Sequence, residues 1–272
     1  MMTLSVAIPD SALKDEKTLE NKTRKIGLIA RACSIFKVNE IIIYRDGKEN
    51  KSDSHLLITI LKFLETPQYF RRQKFPKSNL LKFTGLLPPL KIPNQTVTSD
   101  YKSLKPGDIR EGLIIRVKGK KNLDLGIKKL ISYNGKDDIG KRIIIKINHV
   151  KPELSIKEIT KEQINGFWSY NVKQGGNLLS VLSNWNGSKI LTSKNAKFWN
   201  KKTYEKIKDT KLPILVVFGT TDKGLHDMLG KKIHDMPNSK LVNFFPNQGT
   251  ETVRLEEALL GVLGIINSNQ IV

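Results

Sequence analysis

Short apolar segments alternate with amphipathic segments at both ends of the chain, and this alternation restricts the fold more than any other feature. Near the start, Leu4–Ile8 and Glu40–Gly47 predict strands, and the second is a β-branched run closed by an Asp-Gly turn. The segments after them repeat apolar residues at helical period; Thr23 is the predicted N-cap of the first helix, and Pro67 ends the second. Strands that recur with helices between them need crossover connections, which predicts a mainly parallel α/β sheet.

The same alternation returns towards the C-terminus. Ser188–Ser193 and Leu241–Phe245 predict strands, and an amphipathic helix continues from the second of them to Ile266. Between them, Leu212–Gly219 is an almost continuous apolar run, which is typical of a strand buried on both faces. The sequence therefore predicts a Rossmann-like α/β domain built from two separate parts of the chain, residues 1–79 and 158–272.

The middle of the chain has a different pattern. Proline and glycine recur, and Lys105–Val150 consists of short strand-like segments between turns, which predicts a small antiparallel β-barrel of the OB-like class. We assign this inserted barrel to residues 80–157. Its lysines and arginines favour RNA binding, while an insertion that lysines merely keep soluble is the alternative. The residues predicted to bind RNA in the barrel are Arg116, Lys118, Lys120 and Lys121.

The charge of the chain points to an anionic partner. Lysine and arginine together number 47 against 26 aspartates and glutamates, so the formal net charge is +21. Nucleic acid is the leading partner, because phosphates favour a basic face through counterion release, and a lysine-rich proteome is the alternative. The single cysteine, Cys33, and the scattered histidines predict no metal site. No apolar stretch approaches the ~20 residues of a membrane span, and the start lacks a signal-peptide pattern, which predicts a cytoplasmic protein.

Three familiar nucleotide and hydrolase motifs are excluded. The stretch GTTDKGLH has the two glycines of a P-loop, but Leu225 and His226 stand where lysine and serine or threonine are required. No Gly-x-Gly-x-x-Gly follows a strand, and no Gly-x-Ser-x-Gly elbow occurs in the sequence. The remaining candidate is a set of three loops that follow strands near the C-terminus: LTSKN, FGTTDKG and FPNQGTET.

These three loops predict a ligand site. In open α/β sheets ligands bind outside the carboxyl ends of the strands. Gly219 and Gly249 would allow close backbone approach or a positive φ, while Thr192, Asn247 and other side chains offer hydroxyl and amide groups. This inventory suits a nucleoside with an amino-acid tail better than a triphosphate or a metal ion. Each loop taken alone would more often be only a turn.

With these residues in view, the chain resembles the SPOUT (α/β-knot) methyltransferases, in particular the archaeal and eukaryotic branch with a barrel inserted in the catalytic domain. The resemblance extends from near the start to Asn267, through TRKIGLIARACSIFKVNEIIIYRD, YFRRQKFPKSNLLKFTGLLPPL, FWSYNVKQGGNLLSVLSN and LPILVVFGTTDKGL. The most specific stretch is VNFFPNQGTETVRLEEALL.

The resemblance implies a trefoil knot in the C-terminal part, S-adenosyl-L-methionine bound in the knotted loops, and a homodimer that builds each site from two subunits. Only the resemblance supports a knot, because true knots are very rare. The cofactor-binding residues that it implies are Thr192, Ser193, Phe218, Gly219, Thr220, Asn243, Pro246, Asn247, Gln248, Gly249 and Thr250.

The resemblance also implies a mechanism. Methyl transfer from a sulfonium depends mainly on positioning, and relatives of this branch methylate N3 of uridine, whose imide proton must leave first. A nearby cation would favour the resulting anion, and the candidate catalytic residues are Arg254 and Lys173. For Arg254 the alternative is an ion pair with Glu251 or Glu257 at the start of the helix. Lys173 stands where family members tend to carry arginine, and lysine lacks the planar two-point fork.

A second basic segment, FRRQKF, adds Arg71, Arg72 and Lys74 to the predicted RNA-binding residues. Phe70 and Phe75 beside them would stack on bases, and an ordinary basic helix end is the alternative. The sequence thus predicts an S-adenosyl-L-methionine-dependent RNA methyltransferase that modifies structured RNA. The alternative is a knot-fold RNA-binding protein without catalysis.

Overall fold

The chain is divided into two compact units. The computed structural model describes residues 3–47, 51–95, 100–220, 222–233 and 235–269. The large unit consists of Met1–Leu64, Asn79–Pro89 and Tyr170–Val272, and the small unit consists of Glu65–Ser78 and Leu90–Ser169. In chain order the elements are β1 (Leu4–Pro9), α1 (Leu19–Ile35), β2 (Glu40–Arg45), α2 (Lys51–Glu65), α3 (Gln68–Lys74), β3 (Ile109–Val117), β4 (Lys120–Asp124), β5 (Ile131–Ser132), β6 (Arg142–His149), β7 (Ser155–Ile159), β8 (Asn171–Asn177), α4 (Leu178–Asn184), β9 (Ser188–Thr192), α5 (Lys201–Asp209), β10 (Ile214–Val217), α6 (Leu225–Leu229), β11 (Ser239–Val242) and α7 (Leu255–Ser268).

The large unit is built on a parallel sheet, which confirms the predicted α/β architecture. Its six strands lie in the order β11-β9-β10-β1-β2-β8, and every pairing is parallel. All residues of β1 and β10 are buried, because both strands are central and helices cover both faces of such sheets. The near-continuous apolar run of β10 is explained by this position.

Helix α1 begins earlier than the sequence predicted. Thr18, not Thr23, is its N-cap, and the Thr18 hydroxyl accepts a hydrogen bond from the backbone N–H of Asn21 at 3.1 Å. Thr23 is buried inside the helix, where its hydroxyl donates to the carbonyl of Leu19 at 2.8 Å. The prediction was wrong because the first turn carries few apolar residues, so the helical period becomes visible only after it.

Strand β8 was not predicted. It lies at the edge of the parallel sheet and pairs with β2 alone. Its Gly175 and Gly176 resemble a turn signal, yet a Cβ on Gly175 would lie 2.7 Å from Cγ2 of Val181 in α4. The glycine is therefore explained by close packing of the helix on the strand.

The last strand also differs from its prediction. Strand β11 is Ser239–Val242, whereas the sequence predicted Leu241–Phe245. Asn243 makes one further parallel bridge, to Phe198, but belongs to the following segment. The apolar residues Phe244 and Phe245 serve packing beyond the strand, because Phe245 lies against Gly261 of α7 and Phe244 stacks on Trp199.

The small unit contains an antiparallel sheet, which confirms the short strands predicted in the middle of the chain. Its five strands lie in the order β5-β4-β3-β6-β7. The core on one face includes Ile143, Ile145 and Ile147 of β6 together with Ile114 and Leu123. In β6 these buried positions alternate with partly buried or exposed ones, which is the pattern of a sheet with one buried face.

Candidate functional site

The three predicted loops lie side by side at the carboxyl ends of the parallel strands, which form one edge of the sheet. Strands β11, β9 and β10 are neighbours, and their last residues are in register: Leu191 is opposite Val217, and Thr192 is opposite Val242. Neighbouring strands lie about 4.8 Å apart, so the segments that start at Ser193, Phe218 and Asn243 leave the sheet side by side.

Hydrogen bonds join these three segments. The Thr192 hydroxyl donates to the carbonyl of Val217 at 2.9 Å, and the backbone N–H of Ser193 donates to the carbonyl of Val242 at 3.0 Å. The buried side-chain amide of Asn243 donates to the carbonyl of Lys194 at 2.7 Å. Thr192 and Asn243 therefore hold the loops in place, and the loops are organised before any ligand arrives.

The loop after β10 is fixed from beneath by a residue that the sequence did not single out. The Tyr44 hydroxyl donates to the carbonyl of Phe218 at 2.6 Å, across 174 positions of sequence. Burial, helped by the carboxylates of Asp46 and Asp10, raises the pKa of Tyr44, so its hydroxyl remains a donor. In the same loop, the Thr220 hydroxyl accepts from the backbone N–H of Lys223 at 2.9 Å and closes a tight turn.

Gly219 and Gly249 have different surroundings. A Cβ on Gly219 would lie 3.1 Å from the carbonyl oxygen of Lys223, so glycine allows the close turn. A Cβ on Gly249 would meet nothing within 4 Å. The left-handed residue of this loop is Asn247, with φ of 56°, and the Gln248 amide donates to the carbonyl of Thr250 at 2.9 Å. Open space therefore lies beside Gly249, and Pro246 is exposed in the same loop.

A fourth loop, residues 10–18 after β1, reaches the same edge. Lys14 forms an ion pair with Asp222 in the loop after β10, and Glu16 forms one with Arg254 at 3.1 Å. This loop was not predicted, although the sequence shows a run of acidic residues and lysines directly after a buried strand. The position of β1 beside β10 was the missing information.

Arg254 stands immediately before α7, and its side chain is 54% exposed. Its side chain pairs with Glu16, and its backbone N–H donates to the carboxylate of Glu257 at 2.9 Å. Of the two partners that the sequence left open, Glu257 is thus used by the backbone only. The arrangement places a cation at the edge of the sheet that carries the three loops.

The other candidate catalytic residue is not brought to these loops. Lys173 is exposed on β8, opposite Ile42 of β2. In register, Ile42 is opposite Ala7 of β1, which is opposite Val217 of β10. Lys173 is therefore three strand spacings from β10, or about 14 Å.

The predicted RNA-binding residues of α3 belong to the small unit. Arg71 donates to the carbonyl of Thr66 at 3.0 Å, Lys74 donates to the carbonyl of Gly140 at 2.6 Å, and Arg72 is exposed. Phe70 is fully buried, so the predicted stacking of a base on Phe70 is wrong. The sequence could not show that this aromatic ring is the buried face of a short helix.

A hairpin tip gathers the other four predicted RNA-binding residues. Strands β3 and β4 are joined by Lys118 and Gly119 with φ of 49° and 80°, as in a type I′ turn. Arg116 lies directly opposite Lys121, and Lys120 is exposed beside them. Like charges directly opposite each other are destabilising, so an anion near this tip would be stabilising.

Membrane-spanning helices and metal sites are both absent from the residues that the structure describes. Within those residues, no helix has the length and apolar character needed to cross a membrane. The same residues contain no group of at least three histidine, cysteine, aspartate or glutamate side chains placed to hold a metal ion.

Similarity to known proteins extends over nearly the whole chain. Residues 3–266 match the model of a family described as "Putative RNA methyltransferase". A mouse (Mus musculus) protein described as 28S rRNA (uridine-N(3))-methyltransferase is 30% identical over 298 residues, covering 95% of this chain and 74% of that protein. The human (Homo sapiens) protein of the same description is 29% identical over 300 residues, covering 95% and 76%. An uncharacterised protein of Halobacterium salinarum is 26% identical over 285 residues, covering 97% and 98%.

Proposed function

The chain belongs to this RNA methyltransferase family, and from that premise we propose that it transfers a methyl group from S-adenosyl-L-methionine to N3 of a uridine in ribosomal RNA. The observation that carries the proposal is the set of three strand-end loops at one edge of the parallel sheet. The choice of uridine N3 and of ribosomal RNA follows the description of the mouse and human relatives.

A direct test measures the product. The full chain is incubated with methyl-labelled S-adenosyl-L-methionine and unmodified ribosomal RNA, and the digested nucleosides are separated by mass. Labelled 3-methyluridine is the expected product. Label in another nucleoside would contradict the assignment of N3. Donor binding without any label in RNA would favour the non-catalytic RNA-binding protein.

The donor is proposed to bind across the three loops. Their hydrogen bonds give a rigid frame, and the space beside Gly249 is open, which fits a neutral ligand recognised by backbone groups and amides. When bound, S-adenosyl-L-methionine would supply an electrophilic methyl group. The proposed lining residues are Thr192, Ser193, Phe218, Gly219, Thr220, Asn243, Pro246, Asn247, Gln248, Gly249 and Thr250.

A substitution at Gly249 tests the donor site. Because an added Cβ meets no protein atom, Gly249→Ala should change the free energy of unfolding by less than about 0.5 kcal/mol. Donor at about 100 times its dissociation constant should stabilise the unsubstituted protein by about 2.7 kcal/mol, a melting shift of several degrees. We expect Gly249→Ala to lose most of this donor-induced melting shift, because the new methyl group would occupy the space that the donor is proposed to fill.

Gly85→Ala is the matched control for this experiment. Its Cβ also meets nothing within 4 Å, and Gly85 lies in the 3-10 turn Thr84–Leu86, outside the three loops. It should keep the full donor-induced shift. Equal shifts for both variants would place the donor elsewhere.

Arg254 is proposed to act on the acceptor. Loss of the N3 proton to solvent would leave an anion on the imide, and the guanidinium of Arg254 would favour that anion by its charge. A bound donor would supply the methyl group to that nitrogen, and its sulfur would leave as a neutral thioether. Glu16 is proposed as the positioning residue that holds the Arg254 side chain, since the two pair at 3.1 Å.

A homodimer is proposed to complete the site. Leu28 and Ile35 of α1 and Leu260 of α7 are each more than half exposed, and exposed large apolar residues gathered on one helix pair are typical of an interface. In the SPOUT proteins that the chain resembles, each site uses two subunits. Lys173, which lies away from the loops of its own subunit, is proposed to serve the site of a second copy.

We propose that the segment after β11 passes through the loop after β9 as the trefoil knot of the SPOUT fold, because Asn243 bonds to that loop at Lys194 and Lys197. The antiparallel sheet is proposed to be an OB-like, RNA-binding barrel. Its last strand ends at Ile159, two residues beyond the predicted boundaries 80–157. Its hairpin tip and α3 supply the contacts to phosphates.

We propose that the protein acts in the cytoplasm.

A further inference from the structure

Phe198 is an aromatic residue that the large unit leaves exposed. Its exposed fraction is 54%, although the next residue, Trp199, stacks on Phe244 with ring centroids 4.8 Å apart. The segment that carries it, residues 193–200 between β9 and α5, is called the Phe198 loop. More than half of the ring is therefore accessible to a partner that approaches this loop.

The Phe198 loop is held firmly on both sides of the ring. The backbone N–H of Asn243 donates to the carbonyl of Lys197 at 2.9 Å, and the N–H of Trp199 donates to the carbonyl of Asn243 at 2.8 Å. Phe198 itself forms a parallel bridge with Asn243. The ring is therefore presented by fixed backbone, and a partner would lose less conformational entropy on binding it.

Lysines flank the ring in the sequence. Helix α5 has no acidic residue in its first turn, which instead carries Lys201 and Lys202, and cations at a helix N-terminus oppose the helix dipole. In the part of the chain that the structure describes, no carboxylate pairs with these lysines. The exposed lysines of this surface are Lys194, Lys197, Lys201 and Lys202.

The Phe198 loop is continuous with the proposed donor site. It starts at Ser193, whose backbone N–H donates to the carbonyl of Val242, and Asn243 binds both ends of it. Unstacked bases bind to aromatic rings, while lysines contact the phosphates between them, and this combination is typical of single-stranded RNA recognition.

We propose that the Phe198 loop binds a single-stranded segment of the substrate RNA next to the uridine that is methylated. Phe198 stacks on a neighbouring base, and the four lysines contact phosphates. This inference rests on the proposed function and deepens it, because it adds an RNA-binding surface on the unit that holds the methyl donor.

The experiment measures binding of the full chain to a labelled oligouridylate about 12 nucleotides long, a size within the range of single-strand sites. Phe198→Ala should raise the dissociation constant about tenfold. Phe198→Trp keeps a stacking ring and should return the dissociation constant to that of the unsubstituted protein. A duplex RNA of equal length should bind both proteins equally, because its bases are already stacked.

Charge is tested separately with matched lysine pairs. Lys197→Gln/Lys201→Gln should reduce the slope of log affinity against log salt by about 1.4, since each phosphate contact contributes about 0.7 on single strands. Lys208→Gln/Lys211→Asn is the control, because exposed Lys208 lies in the last turn of α5 and exposed Lys211 lies between α5 and β10, whereas Lys201 starts that helix. The control should leave the slope unchanged.

Two results would overturn the proposal: unchanged oligouridylate binding by Phe198→Ala, or a change in the oligomeric state of that variant, which would make the surface an interface between copies of the chain. The methylation assay distinguishes this from failure of the proposed function. Weakened binding by Phe198→Ala with no methylation by the unsubstituted protein supports the surface alone. Methylation with unchanged binding supports the function alone.

Discussion

Replacing Arg254 by alanine is expected to lower the single-turnover rate of RNA methylation about 10²- to 10³-fold, the range measured when one stabilising group for a developing anion is removed. The reason is the charge that appears on the uridine when N3 loses its proton. Arg254 stands at the start of α7 beside the three loops, and its guanidinium has a carboxylate partner only in Glu16 among the ion pairs of the described residues. Substrate can therefore compete for it.

The pH dependence gives a second readout for Arg254. A nearby cation lowers the pKa of the bound imide, because it stabilises the ionised form. Without Arg254 the imide should ionise only at higher pH, so the rate of Arg254→Ala should keep rising to a higher pH than that of the unsubstituted protein. Arg254→Lys keeps the charge but loses the fork, and its rate should lie between the two.

Controls separate chemistry from folding. Arg24 is 56% exposed and pairs with Glu20 at 2.8 Å, which closely matches the exposure and pairing of Arg254; Arg24→Ala should keep the full rate. Glu16→Gln should lower the rate less than Arg254→Ala and leave donor binding unchanged. An Arg254→Ala rate within about threefold of normal, with an unshifted pH profile, would reduce Arg254 to a structural residue at the helix start, because threefold is less than 1 kcal/mol of the barrier.

The sequence predicted the parallel sheet and the three loops because both depend on local signals. A continuous apolar run such as β10 indicates a buried strand, and loops after consecutive parallel strands lie at one edge whatever the strand order. The loop after β1 was missed because its proximity depends on β1 lying between β10 and β2. The partners Glu16 and Arg254 are separated by 238 positions, and no local pattern connects them.

Strand β8 and the burial of Phe70 were also not predicted, and each has its own physical cause. Strand β8 has little apolar alternation, since an edge strand is stabilised by one partner, and its Gly175 is required by the close approach of Val181. A buried phenylalanine such as Phe70 cannot be told from an exposed one by residue type. Its packing on the buried side of α3 makes the ring unavailable for stacking on a base. Phe198 shows the opposite case, because it is exposed while its partly buried neighbour Trp199 stacks on Phe244.

The small unit contains a buried ion cluster whose disruption should strongly destabilise the fold. Arg142 donates to Glu65 at 2.8 and 2.9 Å and to Glu111 at 2.7 Å, and the Glu111 side chain is only 5% exposed. Trp168 and Asn94 both donate to the other carboxylate oxygen of Glu111, Oε1, at 3.0 and 3.3 Å. Burial lowers the pKa of Arg142, but Glu65 and Glu111 outweigh it, so the net pKa is raised and the guanidinium stays charged.

Arg142→Leu should therefore lower the free energy of unfolding by about 3–5 kcal/mol, because it leaves two carboxylates buried without their cation. The neighbouring residue is a matched control. Lys141 pairs with Asp137 at 2.6 Å, but its side chain is 54% exposed, so water screens the pair and Lys141→Leu should lower stability far less than Arg142→Leu does. Urea denaturation of the three proteins measures both effects.

The loss in Arg142→Leu should depend on pH in a definite direction. Burial raises the pKa of Glu111 above 4.5, and Arg142 opposes that rise; without Arg142 the pKa should rise further. A raised folded-state pKa means that the folded protein binds more protons than the unfolded chain, so stability increases as pH falls through that pKa towards 4.5. The deficit should thus be larger at about pH 8 than in mild acid. Replacing Glu65, Glu111 and Arg142 together by apolar residues should recover most of the lost stability, whereas equal losses for Arg142→Leu and Lys141→Leu, or a deficit that grows in acid, would show that the cluster is not a desolvated charge network.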